Sequence, residues 1–557
     1  MSDTAPVIPK VNKEKKWTLM FFFASDNSLS PSTLPQVKAI KAAGHSDEAN
    51  VLVYFDPNKK GAPTRVFAIN DDPQPQIAST GSDPVITVLS SDYLKPDDIK
   101  QFRGNDSQKF AASLANSKGL EAADALEQFL GFCREAYPAE HYMLFLLGHG
   151  LVVGRDSFLP DDNPESAIGL KTLGGILGGF KKKPGKGTLE LIAMHSCSMS
   201  AVEIAYQLKD TAKYMLASQG LSFVGSWPYR QLLTKIYNDI KQPGVDVDSL
   251  VRRLYTQCIQ YGVDFMHAGY SSDMCLCSLD ESRVDALTKP IANLSEALQA
   301  GITIPRCRDL IVLAHWRSQS YWQETYTDLC DFCLCLTRLC RDPFTTSGEV
   351  GSFEADVKRR AIIKACETVI ETLKPEKGPV VCTDYVGPDL QFSHGLSIYF
   401  PWSDPREDEN DKIIKHYEKY AFTEAFTEQQ RWLTFLDLYF DKTKRPDRIF
   451  EERRANPTSS PYAVQSYLTL IDTLRQTFPA ATVTTTRDFF PTGTLEGKVT
   501  PPDSTGGACS CASMRNYSRE FSMSPGATSV FDNTKLNSSS ASGSPDQSSQ
   551  QGGPPQP

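Results

Sequence analysis

A histidine and a cysteine, each just after a strongly apolar segment, are the residues of this chain best suited to do chemistry. Residues 142–147 (YMLFLL) end shortly before His149, and residues 189–194 (LELIAM) end shortly before Cys197. In an open parallel α/β sheet such segments are buried strands, and functional sites form beyond their carboxyl ends. If the two strands are neighbours, His149 and Cys197 meet at one edge of the sheet.

This pairing suits nucleophilic catalysis, because a cysteine reacts as the thiolate and needs a neighbour that takes its proton. His149 could act as that base, and a helix predicted to begin near Met199 would favour the thiolate through its N-terminus. Backbone N–H groups of Gly150 and Cys197 could form an oxyanion hole. The alternative is that both side chains are structural, since cysteine and histidine are common in protein cores.

A second histidine, His195, lies closer to Cys197 in the sequence. Side chains two residues apart at a strand end share a side and do not face each other as proton transfer requires. His149 is therefore the expected base. The other histidines considered lack such a setting and are expected to be structural: His267, His315, His394 and His416.

Short segments of the chain resemble, in the same order, motifs of the clostripain family of cysteine peptidases. They are residues 17–24 with the loop 25–29 (SDNSL), 50–56, 147–150 (LGHG), 196–197 with 203–206, 225–229 (GSWPY), 328–332 (DLCDF) and 395–401 (GLSIYFP). The resemblance implies a caspase-like three-layer α/β/α fold with a mostly parallel central sheet. It also implies a cysteine endopeptidase, related to caspases and legumains, that works through an acyl-thioester.

The pattern along the chain predicts four regions. Residues 1–16 form a flexible lead, and residues 17–230 alternate strand and helix patterns as a caspase-like catalytic domain does. Residues 231–478 are helix-rich and contribute late strands to the fold. Residues 479–557 are a low-complexity tail that buries too little apolar surface to fold, so we expect disorder.

Specificity is predicted to depart from the family at two S1-pocket positions. Relatives carry an acid two residues before the nucleophile, where this chain has His195, and a second acid near the position of Gln219. Without negative charge a buried guanidinium or ammonium lacks its partner, so a neutral or acidic P1 residue is expected. The alternative is that Glu203, Asp161 or Asp162 supplies the acid.

Composition and charge narrow the partners and the compartment. The net charge of −9 argues against nucleic-acid binding, and the apolar run at 19–24 is too short for membrane insertion. We saw no secretory signal, and the 14 cysteines are spread over a long chain, so we expect a cytoplasmic enzyme with reduced thiols. Its partner is a protein or peptide substrate. The tail is either a recruitment arm or a solvated extension.

No cofactor and no metal site is predicted from the residues. The cluster of Cys330, Cys333, Cys335 and Cys340 contains one C-x2-C unit without nearby histidine, so a buried helix explains it better than zinc. Calcium is suggested only by the family resemblance, because some relatives use it. The sequence itself has no EF-hand loop that would support a calcium site.

Two further hypotheses concern function and activation. The alternative to a peptidase is a catalytically weak caspase-like scaffold that binds partners. Self-cleavage between His149 and Cys197 is a hypothesis for activation, at the loop 181–187 (KKKPGKG) or, with acidic specificity, at 160–164 (PDDNP). A solvated basic turn is the favoured interpretation of the loop 181–187, because the altered S1 positions disfavour cleavage after Lys.

Overall fold

A computed structural model describes residues 13–58, 65–69, 121–151, 156–182, 187–267, 270–321, 325–341, 353–402, 417 and 419–443. Most of the predicted N-terminal lead lies outside these residues, as do the boundary at 478, the predicted tail, and positions 183–186 of the basic loop. The described residues all belong to one compact unit.

Apolar segments such as 19–24 and 142–147 form the long buried strands, as their lack of polar residues predicts for a sheet covered on both faces. The strands are β1 (Lys15–Ser25), β2 (Ala49–Pro57), β3 (Arg65–Ile69), β4 (Ala139–Leu147), β5 (Phe158–Asp162), β6 (Glu165–Ile168), β7 (Thr188–His195), β8 (Tyr214–Ala217), β9 (Ser272–Ser278), β10 (Ser320–Tyr321), β11 (Tyr326–Asp328), β12 (Val380–Val386) and β13 (Ser397–Tyr399).

Helices fill the connections between the strands and dominate the later part of the chain. They are α1 (Ser30–Ala42), α2 (Ala122–Ala136), α3 (Leu170–Lys182), α4 (Val202–Leu208), α5 (Tyr229–Ile240), α6 (Val247–His267), α7 (Glu281–Asp285), α8 (Thr288–Ile302), α9 (Pro305–Arg317), α10 (Leu329–Arg341), α11 (Phe353–Thr372), α12 (Ala421–Glu424) and α13 (Trp432–Thr443). None of the helices in the described part of the chain combines the length and apolarity of a membrane span.

Eight strands form the central sheet in the order β12-β9-β8-β7-β4-β1-β2-β3. The five strands from β8 to β2 are parallel, whereas β3, β9 and β12 pair antiparallel at the two sides. The predicted mostly parallel α/β fold is confirmed. The late strands β9 and β12 complete this sheet, so residue 230 does not separate two sheets, and the domain boundaries stay predictions.

Alternate side chains of the sheet enter two separate cores. On β1, Met20 and Phe22 belong to one core, and Leu19, Phe21 and Phe23 belong to the other. This period of two is the consequence of side chains pointing to opposite faces of a strand. Helices cover both faces, which gives the three-layer arrangement.

Several predicted elements differ from those observed. The sequence pattern over 281–298 predicts one helix, but the structure divides it into α7 and α8, because Pro290 in the first turn of α8 lacks the N–H that a continuous helix needs. The pattern over 325–339 also predicts a helix, but α10 begins only at Leu329, since residues 326–328 pair with β13 in a three-stranded sheet. The sequence analysis missed β12 and α9.

Candidate active site

The ends of β4 and β7 bring the two predicted catalytic segments together. These strands are parallel neighbours, and Leu147 pairs with His195. His149 and Cys197 therefore each follow a paired residue at the same edge of the sheet. A methyl group added at Gly150 would lie 1.8 Å from the carbonyl oxygen of Cys197, so the backbones of the two segments are in close contact.

The thiol of Cys197 is fully buried, with 0% exposure. The main chain of Ser222 lies over it: the Ser222 N–H donates to Sγ at 3.3 Å, and Sγ lies 3.6 Å from the Ser222 carbonyl oxygen. An N–H directed at sulfur favours the thiolate. The same contact blocks the approach of a substrate to the sulfur.

The chain turns sharply after Cys197 and does not enter a helix at once. Ser198 has a left-handed φ of 56°, which costs energy for a residue with a side chain. Its N–H donates to the Gly220 carbonyl, and the Ser200 N–H donates to the Ser218 carbonyl, each at 3.0 Å. The prediction of a helix beginning near Met199 is wrong, because these bonds hold the backbone extended until α4 begins at Val202.

His149 is half-buried and is held by loops from two other elements. Its Nε2 lies 3.2 Å from the hydroxyl of Ser28, which belongs to the loop between β1 and α1. Its carbonyl accepts the N–H of Leu159 at 3.2 Å. Sequence reasoning missed Ser28, although it lies within the SDNSL segment that carried the family resemblance.

His195 lies in the core with both ring nitrogens hydrogen-bonded. Nε2 donates to the Phe223 carbonyl at 2.6 Å, Nδ1 lies 2.9 Å from the hydroxyl of Tyr229, and Trp227 stacks on the ring. Its exposure is 2%. These contacts fix the orientation of the buried His195 ring, and its predicted S1 role stays a prediction.

Gln219, the second predicted S1 residue, is buried and uses both ends of its amide. Nε2 donates to Asp328 at 2.9 Å, and Oε1 accepts the Gly395 N–H at 2.7 Å. Asp273 accepts the N–H groups of Gln219 and Gly220 at 2.7 and 2.9 Å. The loop that contacts Cys197 is therefore tied to three distant parts of the chain.

Asp273 and Asp328 were not predicted as site residues. Burial raises the pKa of Asp273 to about 6, opposed by the two N–H groups it accepts. Asp328 also accepts the N–H groups of Asp331 and His394. The only signal in the sequence was the DLCDF segment at 328–332, which matched the family without revealing a role.

Two of the three alternative S1 acids, Glu203 and Asp162, take part in other contacts. Glu203 is fully buried on α4, where Oε1 accepts the Tyr399 N–H at 2.9 Å and the Tyr417 hydroxyl at 3.0 Å. Burial raises its pKa to about 7. Asp162 accepts Asn58 Nδ2 at 2.7 Å in the hairpin of β5 and β6. These contacts argue against either acid as the S1 floor.

A group of three carboxylates could hold a metal ion. Oxygens of Asp26, Asp56 and Asp161 lie within 4.8 Å of one another. Burial and the neighbouring charges of Asp56 and Asp26 raise the pKa of Asp161 to about 7. An all-oxygen donor set fits the preference of calcium. These three residues are therefore the ones that would hold the calcium ion suggested by the family resemblance. The prediction that the enzyme needs no metal stays untested.

The other histidines have different settings. His315 stacks between Phe400 and Trp402, and burial lowers its pKa to about 3, as expected of a core residue. His394 lies 3.4 Å from Asp328, whose hydrogen bond and charge outweigh burial and raise its pKa. The side chain of His267 and the whole of His416 lie outside the described residues.

Sequence comparison supplies the family. A sequence model described as the clostripain family matches residues 21–439. The chain is also similar to clostripain of Hathewaya histolytica, with 20% identity over an alignment of 452 residues that covers 71% of this chain and 76% of that protein. The match to the family supports the peptidase over the alternative of a caspase-like scaffold.

Solved structures that are similar to this chain include C11 cysteine proteases. A secreted C11 cysteine protease from Bacteroides thetaiotaomicron, in complex with an irreversible peptide inhibitor, is 15% identical with a TM-score of 0.44, covering 74% of this chain and 98% of its own. An inactive zymogen C11 protease from Parabacteroides distasonis is 17% identical with a TM-score of 0.42, covering 74% and 99%. The predicted cytoplasmic location is contradicted, because the first of these proteases is described as secreted.

Proposed function

The chain belongs to the clostripain family of cysteine endopeptidases, and on that premise we propose that Cys197 and His149 are its catalytic dyad. The observation that carries the proposal is the pairing of β4 with β7, which aligns Leu147 with His195 and so brings both segments to one sheet edge. The close contact between Gly150 and the Cys197 backbone supports it. The substrates are peptides or proteins.

In the proposed reaction, the Cys197 sulfur attacks the carbonyl carbon of the scissile bond while His149 takes the thiol proton. The C–N bond then breaks, His149 gives that proton to the leaving amine, and an acyl-thioester remains. Water, losing a proton to His149, attacks the thioester. The thiolate leaves, the acid product forms, and His149 returns the proton to sulfur.

The oxyanion of each tetrahedral intermediate needs fixed donors. We assign this role to the backbone N–H groups of Gly150 and Cys197. The absence of a side chain at position 150 lets the two backbones approach closely enough to converge on one oxygen. If calcium binds, Asp26, Asp56 and Asp161 would hold it and it would neutralise their charge, outside the bond-breaking steps.

The covered thiol implies a movement before acylation. Because Cys197 is fully buried under the Ser222 main chain, the segment around Ser222 must shift before a substrate carbonyl reaches the sulfur. Asp273 and Gln219 anchor the residues just before Ser222, so the shift is confined to residues following the anchor.

Specificity for a neutral or acidic P1 residue is part of the proposal. His195 and Gln219 stand where relatives carry acids, and both have their polar atoms engaged. Asp273 and Asp328 are close to this loop but accept N–H groups of the protein. A basic P1 side chain would therefore lose its hydration without gaining a free carboxylate.

A peptide-library cleavage profile tests the specificity, with His195→Asp beside His195→Asn. We expect weak cleavage after Arg and Lys in the wild type and a shift toward them only in His195→Asp, because only that variant restores charge. The asparagine variant controls for the lost bonds to Phe223 and Tyr229. Strong cleavage after Arg or Lys by the wild type would contradict the assignment.

Kinetics of single variants test the dyad. Cys197→Ala should abolish hydrolysis of a library-selected peptide, since no other group can form the acyl-enzyme. His149→Ala should lower the rate of hydrolysis nearly as much. His195→Asn should retain most of the wild-type rate, because His195 is not the proposed base. Hydrolysis retained by Cys197→Ala would overturn the proposal. Circular dichroism of each variant is the control for folding.

A further inference from the structure

We propose that Ser28 is a positioning residue that fixes the orientation and tautomer of the catalytic base, an inference that rests on the proposed dyad. Its hydroxyl lies 3.2 Å from Nε2 of His149. The two residues are 121 positions apart in the chain, so the contact is created only by the fold.

The loop that carries Ser28 is held rigidly on both sides. Asn27 donates to the Ala24 and Pro160 carbonyls at 3.1 and 2.8 Å, and its own side-chain oxygen accepts the Leu29 N–H at 2.9 Å. Leu29 is buried. Ser28 thus projects from a backbone whose neighbours cannot move freely, which is what a positioning contact requires.

The backbone of His149, the partner of Ser28, is held by the β5 strand, which also contacts the Ser28 loop. Pro160 belongs to β5, and the preceding residue, Leu159, donates its N–H to the His149 carbonyl at 3.2 Å. The Asp162 N–H also donates to the Asp26 carbonyl at 2.8 Å. The Ser28 loop, the β5 strand and the backbone of His149 therefore form one connected unit.

The chemical consequence is that the two ring nitrogens of His149 have different roles. When Ser28 Oγ accepts from Nε2–H, the neutral imidazole carries its lone pair on Nδ1, and Nδ1 is the atom that takes the thiol proton. After that transfer the ring is a cation with both nitrogens protonated. The Ser28 hydrogen bond then becomes charge-assisted and stronger, so it stabilises the imidazolium–thiolate pair more than the resting state.

Ser28→Ala tests the proposal through the pH profile as well as the rate. We expect kcat to fall about fivefold to tenfold with little change in KM. The limb of the profile that reports imidazolium ionisation should move to lower pH by about half a unit to one unit, because the cation loses an acceptor. Ser28→Thr keeps a hydroxyl and should restore both values.

Ser30→Ala is the matched control, because it removes a hydroxyl two residues after Ser28, at the first residue of α1. Ser30 Oγ accepts the Asn58 N–H at 3.0 Å and takes no part in the His149 contact. Its kcat and pH profile should equal those of the wild type. A Ser28→Ala profile identical to wild type, or equal effects of both alanine variants, would overturn the role of Ser28.

Failure of the underlying dyad would be visible separately. If His149→Ala hydrolyses the peptide as well as the wild type does, the base is misassigned, whatever Ser28→Ala does. If His149→Ala is inactive and Ser28→Ala is unchanged, the dyad stands and only the positioning role is lost.

Discussion

Residue 150 has no room for a methyl group. A Cβ there would lie 1.8 Å from the Cys197 oxygen and 2.9 Å from its nitrogen, both backbone atoms that cannot rotate away. This clash explains why a glycine occupies the position beside the predicted base. The glycine sets the distance between the segment that carries the predicted base and the segment that carries the predicted nucleophile.

Gly150→Ala should separate these segments and lower kcat/KM by about 100-fold, since displacements near 1 Å disrupt catalytic geometry on that scale. Kinetics and thermal unfolding measure the effect. Gly175→Ala is the control, because Gly175 lies in α3 with nothing within 4 Å of an added Cβ. That variant should keep its activity and gain about 1 kcal/mol in stability. Wild-type activity in Gly150→Ala would contradict the close approach.

At this scale the sequence located the two segments and failed to find what surrounds them. His149 and Cys197 could be predicted because apolar strands ending at one sheet edge leave a readable pattern. Ser28, Ser222 and Asp273 reach the site from separate elements, by contacts that no local pattern records. One sequence without its fold cannot show such pairings.

Helix α4 links the segment after Cys197 to the later part of the chain through Glu203. Its Oε1 accepts from Tyr399 and Tyr417, while Oε2 is buried without a hydrogen-bond partner among the described residues. A charged carboxylate is costly in that position, and burial raises its pKa to about 7. The sequence left Glu203 open as an alternative S1 acid, because helix periodicity does not reveal which neighbouring residues cover a side chain.

This burial predicts a pH dependence of stability. Between the unfolded pKa of a glutamate, near 4.3, and about 7 the folded protein binds more protons at Glu203 than the unfolded chain, so stability falls as pH rises. Glu203→Gln removes that component, which is on the order of 3 kcal/mol at pH 8. Denaturant unfolding of both proteins from pH 5 to 8 measures it.

The difference between wild type and Glu203→Gln should change across this range in favour of the variant. Glu281→Gln, on the exposed surface of α7, controls for the loss of one negative charge. A pH-independent difference for Glu203→Gln would show that burial does not raise the pKa of the Glu203 carboxyl as described.

Across the whole molecule, the sheet is completed by strands from both halves of the chain. β9 and β12 extend the sheet beyond β8, and Ser397 donates its N–H to the Ser200 carbonyl at 3.0 Å. The mostly parallel sheet was predictable because its strands are long apolar runs. β12 (VVCTDYV) was not, since its half-exposed polar residues give no clear period.

A fragment ending at residue 230 should therefore fail to fold cooperatively. It would expose the edge of β8 and lose the bonds from Gln219 to Asp328 and Gly395. Near-ultraviolet circular dichroism and calorimetry should show no cooperative transition for the fragment, with the full chain as the reference. A sharp transition with native-like spectra would mean that the first half is an independent domain.

The most direct test of the central claim is the site of covalent labelling. A peptide that carries a thiol-alkylating ketone, with the P1 residue preferred in the library, is incubated with the enzyme, and the product is mapped by mass spectrometry. Of the 14 cysteines, only Cys197 should carry the label, at one equivalent, in step with loss of hydrolysis. Labelling should be far slower in His149→Ala. Loss of hydrolysis with the label on any other cysteine would contradict the account.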